Sequence, residues 1–394
     1  MTQPSPNHVW RRTAYLFTGH LLNDGFGAFL APLLPLLIQR LDLSLALAGL
    51  LGTARIVINS LLQPGLGHLV DRVQRPWLVI IGPVLSVITM SFIGRASSYG
   101  LLLIIMIIAG VGTALFHPAA AALVAAGNHK RRGLMMAFFS SGGTLGGVLA
   151  PLVIVAYTQA FDLGNTPWLL IPGLALVVAF ALPLRRVLPN ATRKEHEAFH
   201  LGSLPRKFVL LWSVLALRSL SATAFSSFLA VLVIQRGGSA WAGGIAISTF
   251  WFAGAAGSFL AGHLSDRWGR KAVILGSMAV ASPLYFLFLH GPASLLLPAI
   301  ALAGLFDLSA TPVGVVAAQE CIPGRTGVAS GLVMGLAWGV GGIALYPIGW
   351  LADQFGIITV MSYVALIPLI GAGLMSLYKE TSIHLPARRI GEES

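Results

Sequence analysis

Twelve long apolar runs follow one another along this 394-residue chain, separated by short polar segments. A helix that crosses a bilayer needs about 20 mostly apolar residues. Charged residues make up only 10% of the chain, against about 25% in soluble proteins. They are too few to cover so many apolar helices with a polar, water-exposed surface. The sequence therefore predicts an all-α membrane protein. Its twelve transmembrane helices are expected near residues 13–38, 45–70, 77–95, 100–126, 133–157, 166–188, 208–234, 241–264, 272–290, 293–318, 327–350 and 357–378.

The distribution of Lys and Arg predicts the orientation of these helices. Segments on the side of the termini hold 20 of the 25 basic residues, loops on the opposite side hold three, and two lie inside helices. Because basic loops stay in the cytoplasm, we expect both termini to be cytoplasmic in a cell inner membrane. The basic residues are spread between the helices rather than pooled on one face, so nucleic acid is not an expected partner. The single cysteine, Cys321, excludes an internal disulfide.

An internal repeat divides the chain near its middle. The hexapeptide Gly67–Arg72 (GHLVDR) recurs 195 residues later as Gly262–Arg267 (GHLSDR). Two related halves fit a transporter with a binding site between them, although composition alone also allows a channel or a polytopic enzyme. We predict an N-terminal six-helix bundle at 1–188, a cytoplasmic linker at 189–207, and a C-terminal six-helix bundle with a short tail at 208–394.

The repeated motif resembles that of a known family. The run GHLSDRWGRK at Gly262–Lys271 is similar to the loop motif between helices 2 and 3, and 8 and 9, of the major facilitator superfamily. The resemblance implies that fold, with two pseudo-symmetric six-helix bundles, and a monomer. Further segments resemble the fosmidomycin-resistance-like branch: Gly19–Asp24, Ser60–Pro64, Phe116–Pro118, Gln319–Arg325 and Gly331–Gly342. Ala119 stands where that branch commonly has Glu, so no carboxylate role is carried over to this position.

The resemblance also implies a conformational latch formed by the loop motifs. Asp71 is expected near the start of helix 11 and Asp266 near the start of helix 5, because a helix N-terminus attracts a carboxylate. Such contacts would close the cytoplasmic side, whereas the alternative is that these charges only set topology. The predicted latch residues are Gly67, Asp71, Arg72, Arg132, Gly262, Asp266, Arg267, Arg270 and Arg325.

Glycines recur at close spacing in predicted helices 5, 8 and 11. Small residues let helix backbones approach closely in lipid, so we expect these to be the faces along which the halves rock. Helix 5 also resembles, in part, a glycine motif of drug/proton antiporters, which favours antiport weakly because Gly147 replaces a proline of that motif.

Several ionisable side chains lie inside the predicted helices, where each charge costs about 2.5–3.5 kcal/mol on insertion scales. Asp24 is the predicted proton carrier, because a rocking protein can move a carboxylate between a wet cavity and a dry one. His20, four residues earlier on the same helix face, and His117 are expected to assist it. Asp307 is an alternative proton carrier.

Two intramembrane arginines are the predicted substrate-binding residues. Arg218, together with Arg55, is expected to attract an anionic group, because a guanidinium binds carboxylate or phosphonate bidentately and keeps its charge. The alternative, left open, is that the two arginines and the two aspartates neutralise one another as structural pairs. Side chains expected to shape the pocket are Asn23, Gln63, Trp251 and Trp338.

These residues predict a secondary active transporter. The leading hypothesis is a proton-coupled antiporter that exports a small, anionic, drug-like or phosphonate compound by alternating access. A proton symporter that imports a metabolite and a non-transporting receptor or structural protein are the alternatives. The Gly-rich runs lie inside apolar helices and lack the Lys of a phosphate-binding loop, and no His or Cys spacing matches a metal motif. We therefore expect no enzyme, no cofactor and no metal, with the proton gradient as the energy source.

Overall fold

The computed structural model describes residues 6–73, 78–125, 132–186, 204–322 and 326–380. Within these residues twelve helical segments, α1 to α12, follow the order predicted from the sequence. Eleven are long and apolar enough to cross a membrane, and the third, with the apolar stretch Val79–Arg95, is shorter. Their bounds are α1 Pro6–Gly27 with Leu30–Leu41, α2 Leu45–Val73, α3 Leu78–Ser91, α4 Tyr99–Ala125, α5 Arg132–Phe161, α6 Leu170–Arg185, α7 Arg206–Gln235, α8 Ala240–Trp268, α9 Arg270–His290, α10 Leu296–Cys321, α11 Thr326–Gly331 with Leu332–Ala337 and Trp338–Phe355, and α12 Ile357–Val364 with Ile367–Ser376.

Two of these helices are irregular in the middle. Helix α1 breaks at Ala28 and Phe29, because Pro32 has no N–H to donate to the carbonyl of Ala28, four residues earlier. Helix α11 contains a π-helical turn at Leu332–Ala337, and the indole Nε1 of Trp212 donates to the carbonyl of Leu332 at 3.0 Å. Such breaks leave backbone groups that neighbouring side chains can satisfy.

The halves meet at the membrane face opposite the termini, which we call the far face. There the carboxylate of Asp353, at the end of α11, accepts hydrogen bonds from the backbone N–H groups of Leu45 and Ala46 at 2.7 and 2.9 Å. These are the first residues of α2, so a side chain of one half caps a helix of the other half. Leu34 and Ala48, from the first half, also pack into the core of the second half.

The α2–α11 contact ends part of the way through the membrane. Gly349 lies against the carbonyl of Leu45 near the far face, and a Cβ on Gly339 would lie 3.3 Å from Ser60. One and two turns closer to the termini, Gly335 and Gly331 have nothing within 4 Å among the described residues. On this side, which we call the termini face, each half has a hydrophobic core of its own residues alone. In the part of the chain that the structure describes, the halves are therefore joined at the far face and separated at the termini face.

The glycines of α5 and α8 mostly have a different role from the one expected. Gly142 and Gly146 lie against the backbone of α1, and Gly254 and Gly257 lie against α10, in each case within one half. The expectation that these glycines form sliding faces between the halves is therefore wrong, because they serve close packing inside each bundle. The division into 1–188, 189–207 and 208–394 remains a prediction, and most of the linker lies outside the described residues.

Removal of the Asp353 cap should open the far face. Asp353→Ala removes two hydrogen bonds that cross between the halves, and loss of a cap costs about 0.5–2 kcal/mol, so the population open at the far face should rise about 2- to 30-fold. Spin labels at positions 97 and 293, in far-face loops of opposite halves, would report the change as longer distances.

Ser239→Ala is the matched control for this experiment. The Ser239 hydroxyl caps α8 by accepting from the N–H of Ala242 at 3.1 Å, within one half. Its loss should lower stability without lengthening the far-face distances. Equal distance changes in both variants would contradict a gating role for Asp353.

Candidate functional site

Three titratable side chains meet in the first half. Helix α1 places His20 and Asp24 one turn apart on the same face, and α4 supplies His117. Nε2 of His20 lies 3.1 Å from Oδ2 of Asp24, and Nε2 of His117 lies 3.1 Å from Oδ1. The Asn23 amide also donates to Oδ1 at 2.8 Å. The structure thus brings together four residues that the sequence singled out separately.

The surroundings of His20 determine where a proton must lie. Its Nδ1 is 2.9 Å from the backbone carbonyl of Phe139, and a carbonyl can only accept, so Nδ1 carries a hydrogen. The contact between Nε2 and the Asp24 carboxyl then needs one more proton. That proton lies either on the imidazole or on the carboxyl group. The pair can therefore hold one exchangeable proton in the hydrogen bond between Nε2 and the carboxyl group.

His117 has the opposite hydrogen-bond arrangement. The Gln63 side-chain amide lies 3.4 Å from Nδ1 of His117 and donates to Asn59 at 3.1 Å. Nδ1 is then the acceptor of the ring, and Nε2 carries the hydrogen that it donates to Asp24. The His117 ring therefore fixes one carboxylate oxygen, while the other oxygen exchanges its proton with His20.

The cluster is only partly enclosed. The side chains of His20, Asp24 and His117 are 12%, 28% and 29% exposed. Gln63 lies about one turn beyond Ser60 toward the termini, where the α2–α11 contact has ended. A Cβ on Gly143 of α5 would collide with His20 and Asp24, so a glycine is needed beside the cluster. The site is reachable from the gap between the halves at the termini face.

Arg55 lies close to this cluster without forming an ion pair. The negative charge of Asp24 acts on its guanidinium, yet its buried Nε has no hydrogen-bond partner among the described residues. The guanidinium lies against Gly27, next to the break in α1, where a Cβ would collide with it. Arg55 is thus a positive group near Asp24 whose Nε has no hydrogen-bond partner among the described residues.

Arg218 is held in a separate buried network in the second half. Its Nε donates to the carbonyl and the carboxylate of Asp307 at 3.0 and 3.2 Å, and the Tyr285 hydroxyl donates to the other carboxylate oxygen at 2.5 Å. Arg218 is 2% exposed and Asp307 is fully buried. Neither residue lies in the Asp24 cluster. Instead Arg218 and Asp307 form a buried ion pair, which is the alternative that the sequence left open.

The remaining predicted pocket residues fall into two places. Trp251 of α8 and Trp338 of α11 stack with ring centroids 6.4 Å apart and are both partly buried. Asn23 is buried, and its amide oxygen accepts from Ser86 at 2.9 Å, so it orients Asp24. The two tryptophans form an aromatic pair in the second half, whereas the charged groups near Asp24 belong to the first half.

The described part of the predicted latch lies within one half. Arg270 donates to Asp266 at 2.6 Å and to Glu320 at 3.4 Å, and its backbone N–H donates to Glu380 at 2.5 Å. A Cβ on Gly262 would have nothing within 4 Å among the described residues. No contact between Asp266 and α5 is seen in the part of the chain that the structure describes, so the docking stays a prediction. Arg267 has no described contact, Arg325 lies outside the described residues, and so do the side chains of Gly67, Asp71, Arg72 and Arg132.

Some residues of the site had no signal in the sequence. Tyr285 and Phe139 look like ordinary apolar positions of a membrane helix, and the backbone carbonyl of Phe139 cannot be distinguished by sequence at all. Gly143 lay within a glycine run whose expected role was packing. Asp353, at a helix end near the far face, could have been found as a carboxylate able to cap another helix.

Comparisons with known proteins agree with this architecture. A family model described as Major Facilitator Superfamily matches residues 16–247 and again residues 211–394. The Fosmidomycin resistance protein of Escherichia coli (strain K12) is 29% identical over 360 residues, covering 89% of each chain. The uncharacterized MFS-type transporter YfnC of Bacillus subtilis (strain 168) is 28% identical over 370 residues, again covering 89% of each chain.

Solved structures share the fold at low sequence identity. A bacterial homolog of the human lysosomal transporter Spinster, in an inward-facing and unoccupied conformation, has a TM-score of 0.80 and 17% identity, covering 95% of this chain and 98% of that chain. A mutant of the nucleoside transporter NupG has a TM-score of 0.75 and 15% identity, covering 93% of this chain and 100% of that chain.

Disruption of the Arg218–Asp307 pair should destabilise the protein strongly. Asp307→Ala leaves the Arg218 charge buried without its partner, which costs about 3–5 kcal/mol. Tyr285→Phe removes one hydrogen bond to a charged group and should cost about 1.5–3 kcal/mol. The double variant Arg218→Leu/Asp307→Leu should recover most of the loss, because no charge remains buried. Thermal unfolding in detergent measures the stability of all three variants. If Asp307→Ala were as stable as the wild type, a structural role for the pair would be contradicted.

Proposed function

The chain belongs to the major facilitator superfamily, and from that premise we propose that it is a secondary active transporter that exports a small anionic compound in exchange for protons. Members of this superfamily are multi-pass membrane proteins that bind small-molecule substrates. The single observation that carries proton coupling is the hydrogen bond between His20 and Asp24, which requires one exchangeable proton. We further propose a monomer in the inner membrane, with cytoplasmic termini and the proton gradient as its energy source.

Proton exchange at Asp24 is supported by the access to the cluster. The Asp24 side chain is 28% exposed, so water that enters from the side open in this conformation can take or supply the proton. When the halves rock, the gap closes there and opens at the far face. The same proton can then be exchanged with the opposite side. His117 and Asn23 keep the carboxyl group oriented during this exchange.

The anionic substrate is supported by Arg55. A guanidinium keeps its charge in a dry environment and offers several N–H donors in one plane. In this protein Arg55 has unused donor capacity beside Asp24. A carboxylate or phosphonate of the substrate would satisfy these donors and neutralise the charge. The stacked Trp251 and Trp338 offer an apolar surface for the remainder of the compound.

Export is favoured over import by the E. coli relative, whose name states resistance to a drug. The conformation open at the termini face corresponds to an inward-facing state if the termini are cytoplasmic, and the Spinster homolog is described as inward-facing too. A symporter would use the same residues with the opposite direction of substrate flux. Substrate uptake into everted membrane vesicles driven by an imposed pH gradient distinguishes the two.

Asp24→Asn should abolish proton-coupled transport while the protein still folds. Asparagine retains the hydrogen bonds from Asn23 and His117 but cannot hold the proton. Proton movement on substrate addition in proteoliposomes measures the effect, and it should fall to the level of empty vesicles. Asp42→Asn is the matched control, because Asp42 is an exposed carboxylate in a left-handed conformation that Asn tolerates. Wild-type proton flux in Asp24→Asn would remove this residue from the mechanism.

Arg55→Gln should weaken the binding of anionic substrates much more than the binding of neutral ones. Loss of a charged hydrogen bond costs about 1.5–3 kcal/mol, so the apparent KM for an anionic substrate should rise about 10- to 150-fold. Arg95→Gln, at an exposed position in a far-face loop, is the control and should leave KM unchanged. Flux assays on phosphonates, organic acids and cationic drugs provide the comparison. An equal rise in the apparent KM for anionic and cationic compounds would contradict an anion site at Arg55.

A further inference from the structure

We propose that His20, Asp24 and His117 form a binding site for a divalent transition-metal ion such as Zn²⁺, which competes with the coupling proton. The three ligand atoms come from two helices and lie within 4.8 Å of one another. Each Nε2 atom is 3.1 Å from a carboxylate oxygen of Asp24. Ligands around a tetrahedral zinc ion, with bonds of about 2.0–2.1 Å, lie about 3.3 Å apart. Each histidine nitrogen is thus already at about ligand spacing from a carboxylate oxygen, and the ligand atoms that lie up to 4.8 Å apart would need to approach by at most about 1.5 Å to surround an ion.

The donor set selects the class of metal. Two imidazole nitrogens and one carboxylate suit Zn²⁺, Co²⁺ and Ni²⁺, whereas Mg²⁺ and Ca²⁺ prefer a shell of oxygen ligands. Three protein ligands leave at least one coordination position for water or for an oxygen of a solute. The partial exposure of the three side chains leaves that position open toward the gap between the halves.

The hydrogen bonds around the cluster are of the kind that orient metal-ligating histidines. A ligating histidine usually donates its other ring N–H to a carbonyl or carboxylate, and Nδ1 of His20 already donates to the carbonyl of Phe139. For His117 to bind through Nε2, its hydrogen must move to Nδ1. If the amides of Gln63 and Asn59 each rotated by half a turn, the Gln63 oxygen would accept that hydrogen and also accept from the Asn59 amide nitrogen. Both rings therefore have a partner that holds Nε2 toward the ion.

Gly143 leaves the room that the ion needs. A Cβ on this residue would collide with Nε2 of His20 and Oδ2 of Asp24, which are two of the atoms that would bind the metal. Gly147, one turn along the same helix, has nothing within 4 Å among the described residues. Gly143 borders the cluster and Gly147 does not. Gly143→Ala should therefore block the metal ligands, whereas Gly147→Ala tests for a general effect of alanine on α5.

A nearby positive charge limits the affinity of the cluster for the metal ion, and the ion would compete with the coupling proton for the same atoms. The guanidinium of Arg55 lies against Gly27, three residues from Asp24 along the chain, and its positive charge opposes the positive charge of a bound metal ion, so it should weaken binding. An ion held by Nε2 of His20 and Oδ2 of Asp24 occupies the position of the proton between them. Because this effect on transport rests on the proposed proton coupling, metal binding is measured first and separately from transport.

Calorimetric titration of the purified full-length protein with ZnCl₂ tests the site. We expect one ion per chain, and a Co²⁺ complex with the intense visible absorption of a four-coordinate site. His117→Gln and Gly143→Ala should each weaken Zn²⁺ binding by at least about tenfold. His290→Gln, which alters a histidine at the end of α9 bonded to Ser362, and Gly147→Ala should leave it unchanged. Monodisperse elution of each variant confirms folding.

Three results would overturn the proposal. Zn²⁺ binding that is equally tight in His117→Gln and Gly143→Ala would place the ion elsewhere on the chain. Proton-coupled flux in proteoliposomes that is the same with saturating Zn²⁺ and with a chelator would exclude competition. Absence of Zn²⁺ binding, combined with loss of coupled flux in Asp24→Asn, would reject the metal site and leave the proposed function intact.

Discussion

A charged side chain inside the bilayer must be neutralised, bonded or hydrated, and the two halves of this protein meet that requirement in different ways. In the second half, Arg218 and Asp307 are sealed together with Tyr285, and solvent does not reach them. In the first half, Asp24 is bonded by two histidines and an asparagine and remains more than a quarter exposed. A sealed pair fixes structure, whereas a partly exposed acid can exchange a proton. The chemistry of the protein is therefore concentrated in one half.

Access to that chemistry depends on how the halves touch. The backbones of α2 and α11 approach closely because glycines alternate across the contact, and Asp353 closes it with two hydrogen bonds at the far face. A glycine contact has little interlocking of side chains, so it can open without extensive repacking. The cap is directional and charged, and it adds the specificity that the glycines lack. The far face is therefore closed by a few separable interactions, as a gate requires.

The sequence could predict what depends on local composition. The span positions, the repeat, the family and the costly residues inside the membrane all follow from hydropathy and from short motifs. The pairings could not be predicted, because they join helices distant in sequence: Arg218 to Asp307 across 89 residues and Asp24 to His117 across 93. The break in α1 had a signal in Pro32, but the role of Gly143 did not, since its importance comes from what lies opposite. Glycine spacing likewise could not reveal that Gly142 and Gly146 of α5, and Gly254 and Gly257 of α8, pack within their own bundle.

The internal repeat explains why the halves differ. The offset of 194 residues that relates Pro118 to Pro312 also relates Thr113 to Asp307 and His117 to Thr311. In α10, Asp307 neutralises Arg218, and the Thr311 hydroxyl has no partner among the described residues. In α4, Thr113 only bonds back to the carbonyl of Ala109 at 3.0 Å, and His117, one turn further along the helix, bonds Asp24 instead. The same offset relates Asp24 to Arg218, so a buried ion pair in one half occupies the place of the proposed proton site in the other. Under the proposed function, the sealed pair would give the exchanging acid a rigid frame against which its surroundings can change.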